Sequence, residues 1–360
     1  MRISLSKSNL SFGVAPDQSL LDAALSASLN LPHSCKGGNC GSCRARLLEG
    51  EIYYPNGPPL GLSDAEAAEG LVLLCQARAR SDLRIETYEI TTPDQAVIKR
   101  LPARIEHALP LSHDVIGLHL RLPVAEEFRF EAGQYLDIML PGGRRRSFSI
   151  ASPPHASQLL ELHVRRVVGG EFSELLFNED ARSDLLRIEG PLGQFVYRPG
   201  AAPMLMVGGG TGLAPLLSIL RHVVENGIER EMTLYWGVRG ERDLYAHATL
   251  EDLAGRSIAG HAAIDRPARD RPARLRYVPV LSEPSPEWRG SRGWVHEAVL
   301  QDIDDLEKYD VYAAGPPEMI AAVRREFGRR GVAASRLFFD SFDYAPDTLE
   351  RQRMSAATNS

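Results

Sequence analysis

The chain has 360 residues, enough for two or three domains, and its 44% hydrophobic and 24% charged residues are typical of a globular protein. A formal net charge of −6 argues against a general nucleic-acid binder, which needs a basic surface. No uninterrupted apolar run approaches the length of a membrane span, and the N-terminus lacks the apolar core of a signal peptide.

The first ninety residues predict a small α+β domain. Its expected elements are two strands within residues 2–14, a helix over 18–29, and strands at 44–48, 71–74 and 83–88. Asp17 is placed to cap the helix. Ser63 and Glu66 have the spacing of a capping box and predict a second, short helix.

Within this domain, Cys35, Cys40 and Cys43 stand at C-x4-C-x2-C spacing, and Cys75 is the only other cysteine in the chain. Plant-type ferredoxins use this arrangement to hold a 2Fe-2S cluster on four thiolates. The alternatives are a structural zinc site, which usually pairs two C-x2-C clips, or unrelated buried cysteines. We therefore predict a 2Fe-2S site. Since it leaves no cysteine for a disulfide, the usage fits a reducing cytoplasm.

A linker and a second domain are predicted next. Residues 91–100 show no periodicity and contain Pro93, which indicates the linker. From about 101 to 199, short alternating strands punctuated by glycine and proline predict an antiparallel β-barrel. The expected strands are 103–106, 115–122, 135–140, 148–151 and 160–167.

From Pro203 onward strands alternate with helices, which predicts a parallel sheet with crossover helices. Strands are expected at 204–207, 232–236, 276–281 and 310–313, and a helix over 213–225. The arginine-rich residues 260–274 favour a solvated loop over a partner-binding surface. A polar tail is expected from 347.

Two glycine-rich turns follow strands of this sheet, at 208–212 and 313–319. Glycines between a strand and a helix let the backbone approach a pyrophosphate, although a tight turn also uses glycine. The acidic ribose-binding residue of the common dinucleotide fold is missing after 232–236, so the two-lobed dehydrogenase fold is not expected. Because ligands bind at the carboxyl edge of such sheets, both turns should face one crevice.

The predicted barrel carries two further motifs. Arg146-Ser147-Phe148-Ser149 combines a guanidinium for a phosphate, an aromatic face for a flat ring and hydroxyls for a flavin nitrogen. By itself the segment also fits an ordinary strand with a basic start. Gly169-Gly170-Glu171-Phe172-Ser173 offers an anion-binding turn before a helix.

Taken in order, these motifs resemble the ferredoxin–NADP reductase superfamily, in the branch with an N-terminal plant-type ferredoxin domain. That branch includes reductase components of oxygenases. The chain also resembles the CDP-6-deoxy-Δ3,4-glucoseen reductases through CGSC, GLVLLCQA, ELHVRRV, YVPVLSEP and GWVHEAVL. The resemblance implies a β-grasp ferredoxin domain at 1–90, a linker at 91–100, an FAD-binding β-barrel at 101–199, an NAD(P)-binding α/β domain at 200–346 and a polar tail at 347–360.

The resemblance also implies which residues hold the cofactors. It assigns the 2Fe-2S cluster to Cys35, Cys40, Cys43 and Cys75. It assigns FAD to Arg146, Ser147, Phe148, Ser149, His163, Val164, Arg165, Gly170 and Ser173. It assigns the nicotinamide nucleotide to Gly209, Gly210, Thr211, Gly212, Gly315, Pro316 and Pro317. Phe342 is implied to cover the flavin and, with Ser149, is a candidate catalytic residue. Phe148 replaces a common tyrosine, and Ala314 replaces a cysteine that many relatives carry.

The implied activity is that of an NAD(P)H-dependent iron–sulfur flavoprotein reductase, which passes electrons through FAD and the cluster to a partner protein. Asp243-Leu244-Tyr245 resembles the corresponding segment of NADH-using members, which implies NADH, whereas Arg239 or Arg242 would suit the 2′-phosphate of NADPH. The implied acceptor is a pyridoxamine-dependent dehydratase of deoxysugar synthesis or, alternatively, an oxygenase component. A redox sensor with little turnover is the alternative from a different class.

Overall fold

The computed structural model describes residues 1–8, 10–27, 29, 31–34, 36–87, 98–178, 184–259, 274–342 and 348. The chain divides into two compact units, Met1–Gln95 with Phe339–Asp343, and Ala96–Phe338 with Tyr344–Ser360. In the described ranges no helix has both the length and the apolar character needed to cross a bilayer.

The first unit is built on a mixed five-stranded sheet. Its elements are β1 (Arg2–Leu5), β2 (Ser11–Gly13), α1 (Leu20–Ser26), β3 (Arg44–Glu49), β4 (Ile52–Tyr53), α2 (Asp64–Ala68), β5 (Leu71–Leu73), β6 (Arg78–Ala79) and β7 (Leu83–Glu86). The strand order is β2-β1-β7-β3-β5, with β1 and β7 parallel and the other pairs antiparallel. Leu20 and Leu21 of α1 are fully buried in the same core as Ile3, Leu73 and Ile85. This arrangement confirms the predicted β-grasp domain.

One predicted cap in this unit is wrong. The helix starts later than expected, and its N-cap is Ser19, whose Oγ accepts a hydrogen bond of 3.0 Å from the Asp22 backbone N–H. Asp17 lies outside the helix, where its carbonyl accepts from Arg78. The capping box of α2 is confirmed, since Ser63 and Glu66 each bond the other's backbone N–H.

The second unit begins with the barrel. Its elements are β8 (Lys99–Pro110), β9 (Val115–Arg121), β10 (Tyr135–Met139), β11 (Arg145–Ser149), β12 (Leu159–Arg165), α3 (Glu171–Phe177) and β13 (Leu185–Leu192). The order β11-β10-β13-β8-β9-β12 is antiparallel throughout, and a bridge between Ile150 and Leu162 joins its two ends. The predicted antiparallel barrel is confirmed. Its first strand starts at Lys99, inside the predicted linker, and most of that linker lies outside the described residues.

The rest of the second unit is a six-stranded sheet with helices. Its elements are β14 (Met204–Gly209), α4 (Leu213–Glu225), β15 (Glu231–Val238), α5 (His247–Ala259), β16 (Arg274–Leu281), β17 (Ser291–Arg292), α6 (Val295–Asp302), β18 (Asp310–Gly315), α7 (Pro317–Arg329) and β19 (Leu337–Ser341). The order is β17-β16-β15-β14-β18-β19, and the pairs from β17 to β18 are parallel, as predicted. Most of the predicted loop 260–274 lies outside the described residues.

Candidate functional site

Three of the four predicted cluster ligands are buried, and two of them are in contact. Cys43 directly precedes β3 and Cys75 follows β5, and the pairing of these strands brings their Sγ atoms to 3.2 Å. Cys40 is also buried, and the Ser42 backbone N–H points at its Sγ over 3.5 Å. Cys35 lies outside the described residues. A buried set of thiols with an amide aimed at one sulfur is the donor chemistry that a 2Fe-2S cluster requires.

The loop that carries these cysteines is held by neighbours on several sides. The Gly38 carbonyl accepts from the Gly61 N–H over 2.8 Å, and Arg44 in turn donates to the Gly61 carbonyl over 2.9 Å. Gln76 donates to the Lys36 carbonyl over 2.8 Å. Gly38 has φ of +87°, and a Cβ there would lie 2.7 Å from the Gln76 side chain. The loop is therefore fixed by the protein itself, which fits a preorganised metal site.

The motif Arg146–Ser149 lies on β11, next to the turn that contains Gly170. The Phe148 ring packs on Phe172 of α3, with centroids 5.4 Å apart, so the structure brings the two barrel motifs together. Ser147 donates to Asp137 over 2.6 Å, and Ser149 is buried. An aromatic ring, a guanidinium and hydroxyls on neighbouring elements fit the donor and stacking needs of FAD.

The predicted Gly170 and Ser173 form a tight turn at the start of α3. The Ser173 hydroxyl accepts from the Val167 N–H and donates to the Gly170 carbonyl, both over 3.1 Å. A Cβ on Gly170 would lie only 2.6 Å from that hydroxyl. The serine thus shapes the turn directly, and contact of either residue with the FAD pyrophosphate stays a prediction.

On β12 the three predicted residues have different surroundings. Val164 is fully buried in the barrel core, so only its backbone is available to a cofactor. His163 is buried between the Tyr245 hydroxyl and the Glu161 carboxylate, each 3.1 Å from a ring nitrogen. Arg165 is partly exposed and donates from Nε to Asp114 over 2.7 Å.

Two carboxylates, Glu161 on β12 and Asp114 just before β9, are held ionised. Burial opposes the charge of Glu161, but His163 and Arg221 outweigh it and lower the pKa of that carboxyl to about 2. Burial likewise opposes the charge of Asp114, but the hydrogen bond and charge of Arg165 lower its pKa below the ordinary range. Two ion pairs therefore lie at β12: Glu161 with Arg221, and Asp114 with Arg165.

The two glycine turns of the parallel sheet meet, as predicted. β14 and β18 are adjacent, with Gly208 opposite Ala314. A Cβ on Gly212 would lie 2.1 Å from the Ala314 carbonyl oxygen, and one on Gly209 would lie 2.7 Å from the Met319 sulfur. Only glycine allows this close approach, and it leaves the backbone of both turns at one edge of the sheet.

Sequence reasoning missed that Arg165 also reaches this edge. A Cβ on Gly210 would lie 3.1 Å from the Arg165 Nη1, and the Gly210 carbonyl accepts from the Trp236 indole N–H over 2.9 Å. Gly210 has φ of +55°. A guanidinium beside a glycine-rich turn is chemistry suited to a pyrophosphate. No sequence signal links these residues, since they lie on separate domains of the predicted division.

Phe342 follows β19 and is half-buried in the first unit. In the same unit, Ser34, which precedes the first cysteine, donates to Asp340 over 3.1 Å. The placement of Phe342 over a flavin stays a prediction.

Three family models match the chain in the predicted order. They are the 2Fe-2S iron-sulfur cluster binding domain at residues 3–80, the oxidoreductase FAD-binding domain at 102–197 and the oxidoreductase NAD-binding domain at 206–325. The order of the matches agrees with the order of the cysteine loop, the barrel and the parallel sheet.

Relatives match over nearly the whole chain. The CDP-6-deoxy-L-threo-D-glycero-4-hexulose-3-dehydrase reductase of Yersinia pestis is 35% identical over 342 residues, which cover 95% of this chain and 98% of the relative. The terephthalate 1,2-dioxygenase reductase component 2 of Comamonas is 35% identical over 347 residues, covering 96% and 98%. The crystal structure of an Amycolatopsis cytochrome P450 reductase superposes with a TM-score of 0.74 at 33% identity, covering 95% and 98%.

These matches agree with the cysteine loop, the barrel and the glycine turns described above. The chain is an NAD(P)H-dependent oxidoreductase that uses FAD and a 2Fe-2S cluster to deliver electrons to a partner component. It belongs to the ferredoxin–NADP reductase family, in the branch that carries a 2Fe-2S domain.

Proposed function

We propose that hydride transfer takes place where β12 of the barrel meets the glycine turns of the parallel sheet. The observation that carries this proposal is the Arg165 guanidinium at Gly210, because it joins the strand assigned to FAD with the turn assigned to the nucleotide. The domain division at 90, 100, 199 and 346 and the cofactor residues named from the family resemblance are retained as part of this proposal.

The chain's residues bind and orient the reactants in this scheme. When bound, FAD supplies two-electron exchange with nicotinamide, and the cluster supplies single-electron transfer. Arg165 and the amides of the 208–212 turn bind the nucleotide pyrophosphate. Phe148 supplies an aromatic face, and Ser149 a hydroxyl for a flavin nitrogen. Phe342 is kept from the family resemblance as the aromatic residue that would cover the flavin.

NADH is the proposed electron donor. Glu241 lies three residues after β15, is exposed, and accepts hydrogen bonds from the Ser285 hydroxyl over 2.6 Å and backbone N–H over 3.0 Å. The sequence pattern predicted no acidic residue for the ribose after this strand, but Glu241 offers a carboxylate there. A carboxylate at this position is suited to the ribose 2′-hydroxyl of NADH and repels a 2′-phosphate. Asp243 is less suited because, unlike Glu241, it is buried, and its carboxylate accepts from the Gly240 N–H within its own turn.

The proposed acceptor is a pyridoxamine-dependent dehydratase of deoxysugar synthesis. The near full-length similarity to the Yersinia reductase supports it. The similarity to the Comamonas reductase component is equally extensive and favours an oxygenase component as the second candidate.

Coupled turnover distinguishes the two acceptors. The purified chain is mixed with NADH and either a dehydratase with its sugar nucleotide or an oxygenase component with its aromatic substrate. We expect product only with the dehydratase. Product only with the oxygenase component would reverse the assignment. NADH oxidation with ferricyanide is the control, because a sensor with little turnover would not sustain it.

A further inference from the structure

The segment that follows β15 touches the barrel at two points. Asp243 lies with its Oδ1 3.7 Å from Nδ1 of His113, in the loop before β9. Two residues later, Tyr245 reaches His163 of β12, with its hydroxyl 3.1 Å from Nδ1. The sheet that carries the glycine turns is therefore attached directly to the strand assigned to the flavin.

Tyr245 also continues the contact to the glycine turn itself. Its ring stands edge to face between two others, with centroids 5.2 Å from His163 at 90° and 5.1 Å from Trp236 at 82°. Trp236 is fully buried, and its indole N–H holds the Gly210 carbonyl over 2.9 Å. The contacts therefore run without a break from the barrel to the glycine turn, in the order His163, Tyr245, Trp236 and Gly210. We call this series of contacts the aromatic relay.

The imidazole at the barrel end of the relay is held by hydrogen bonds on both sides. Nε2 of His163 lies 3.1 Å from the Glu161 carboxylate, and Nδ1 lies 3.1 Å from the Tyr245 hydroxyl. Burial raises the pKa of Tyr245, so the hydroxyl keeps its proton. Glu161 is fixed in turn by Arg221 of α4.

We propose that Tyr245 is a positioning residue for hydride transfer, which sets the distance between the nucleotide turn at Gly210 and the flavin strand at His163. This inference rests on the proposed function. The rate of hydride transfer depends steeply on the distance between the stacked nicotinamide and flavin rings, so a small displacement of either ring lowers the rate. Loss of the hydroxyl removes one contact that holds the turn at its distance from the strand, while Arg165 still lies beside Gly210.

The test uses Tyr245→Phe in the full-length protein loaded with FAD and the cluster. Tyr277→Phe is the matched control, because Tyr277 makes the same kind of bond, 3.2 Å to Nδ1 of His247, within the parallel-sheet region alone. Stopped-flow mixing with NADH gives the hydride-transfer rate. The long-wavelength absorption of stacked nicotinamide and flavin reports the stacking itself, and titration of the FAD-free protein gives the FAD dissociation constant.

For Tyr245→Phe we expect a hydride-transfer rate lower by about three- to tenfold, the equivalent of one net hydrogen bond. The stacking absorption should weaken, while KM for NADH and the FAD dissociation constant stay near wild type. Tyr277→Phe should leave the hydride-transfer rate, the stacking absorption, KM for NADH and the FAD dissociation constant unchanged. Wild-type rate and absorption in Tyr245→Phe would overturn the inference, as would equal losses in both variants. A wild-type protein that does not oxidise NADH would instead contradict the proposed function.

Discussion

At the scale of single residues, the sequence was most informative where the chemistry is local. Cys40, Cys43 and Cys75 were assigned from spacing alone, and the structure buries all three. Arg165 was placed beside the flavin, yet its guanidinium also reaches Gly210. That second contact joins positions 45 residues apart on different domains, and no pattern in the sequence connects them.

Cys75→Ser tests the cluster assignment. Since the four cysteines leave no spare ligand, the variant should lose iron and the rhombic electron paramagnetic resonance signal of the reduced cluster. Ser63→Ala is the control, because it removes the cap of α2 and costs about 1 kcal/mol of stability without touching a ligand. Unchanged iron content and signal in Cys75→Ser would refute the assignment.

Arg165→Gln tests the proposed pyrophosphate contact. A charge-assisted hydrogen bond is worth about 1.5–3 kcal/mol, so KM for NADH should rise by roughly tenfold or more while kcat with ferricyanide changes little. Arg166→Gln is the neighbouring control, because the Arg166 guanidinium stacks 5.6 Å from the Phe177 ring instead. An equal KM in both variants would count against a role of Arg165 in nucleotide binding.

At the scale of elements, segments with a strong hydrophobic periodicity were predicted well. Short segments, and segments interrupted by glycine or proline, were not. The helix over 213–225 coincides with α4, whose apolar face is buried. β13 was missed because Gly190-Pro191 near its end has the composition of a turn. β19 and the helices α5 and α6 were also not predicted. The cap of α1 was assigned to the wrong residue because Asp17 and Ser19 are both good caps, and only the backbone decides between them.

Acid stability tests the charge pairs that join the barrel to α4. The pKa of Glu161 is lowered to about 2 in the folded protein from an ordinary value of 4.5, so its ionised form stabilises the fold above pH 4.5. This contribution should be lost progressively as the pH falls from about 4.5 toward about 2.

Glu161→Gln lacks this titration. We expect the difference in Tm between wild type and variant to be constant from pH 5 to 7 and to narrow between pH 4.5 and 3. Measuring both proteins side by side removes acid effects that they share. A Tm difference that does not change down to pH 3 would show that the carboxylate is not held ionised by His163 and Arg221.

At the scale of the whole molecule, the order of the domains was predictable because each has its own local motif. The boundary between the first two was less predictable. β8 starts at Lys99 and pairs with Gly190, so a cut at Pro102 would remove three paired residues from the barrel. The second unit begins at Ala96, and a fragment from that residue keeps the strand whole.

The electron route through the cluster is the central claim, and the fragment from Ala96 to Ser360 tests it. All residues assigned to FAD and the nicotinamide turns lie in this fragment, so it should still reduce ferricyanide with NADH. Cytochrome c should be reduced poorly, because single electrons lack their exit through the cluster. The measurement is the ratio of cytochrome c to ferricyanide turnover in the full chain and in the fragment. We predict a ratio at least about tenfold lower in the fragment, the scale of a lost electron-transfer step. An unchanged ratio would show that electrons leave directly from the flavin.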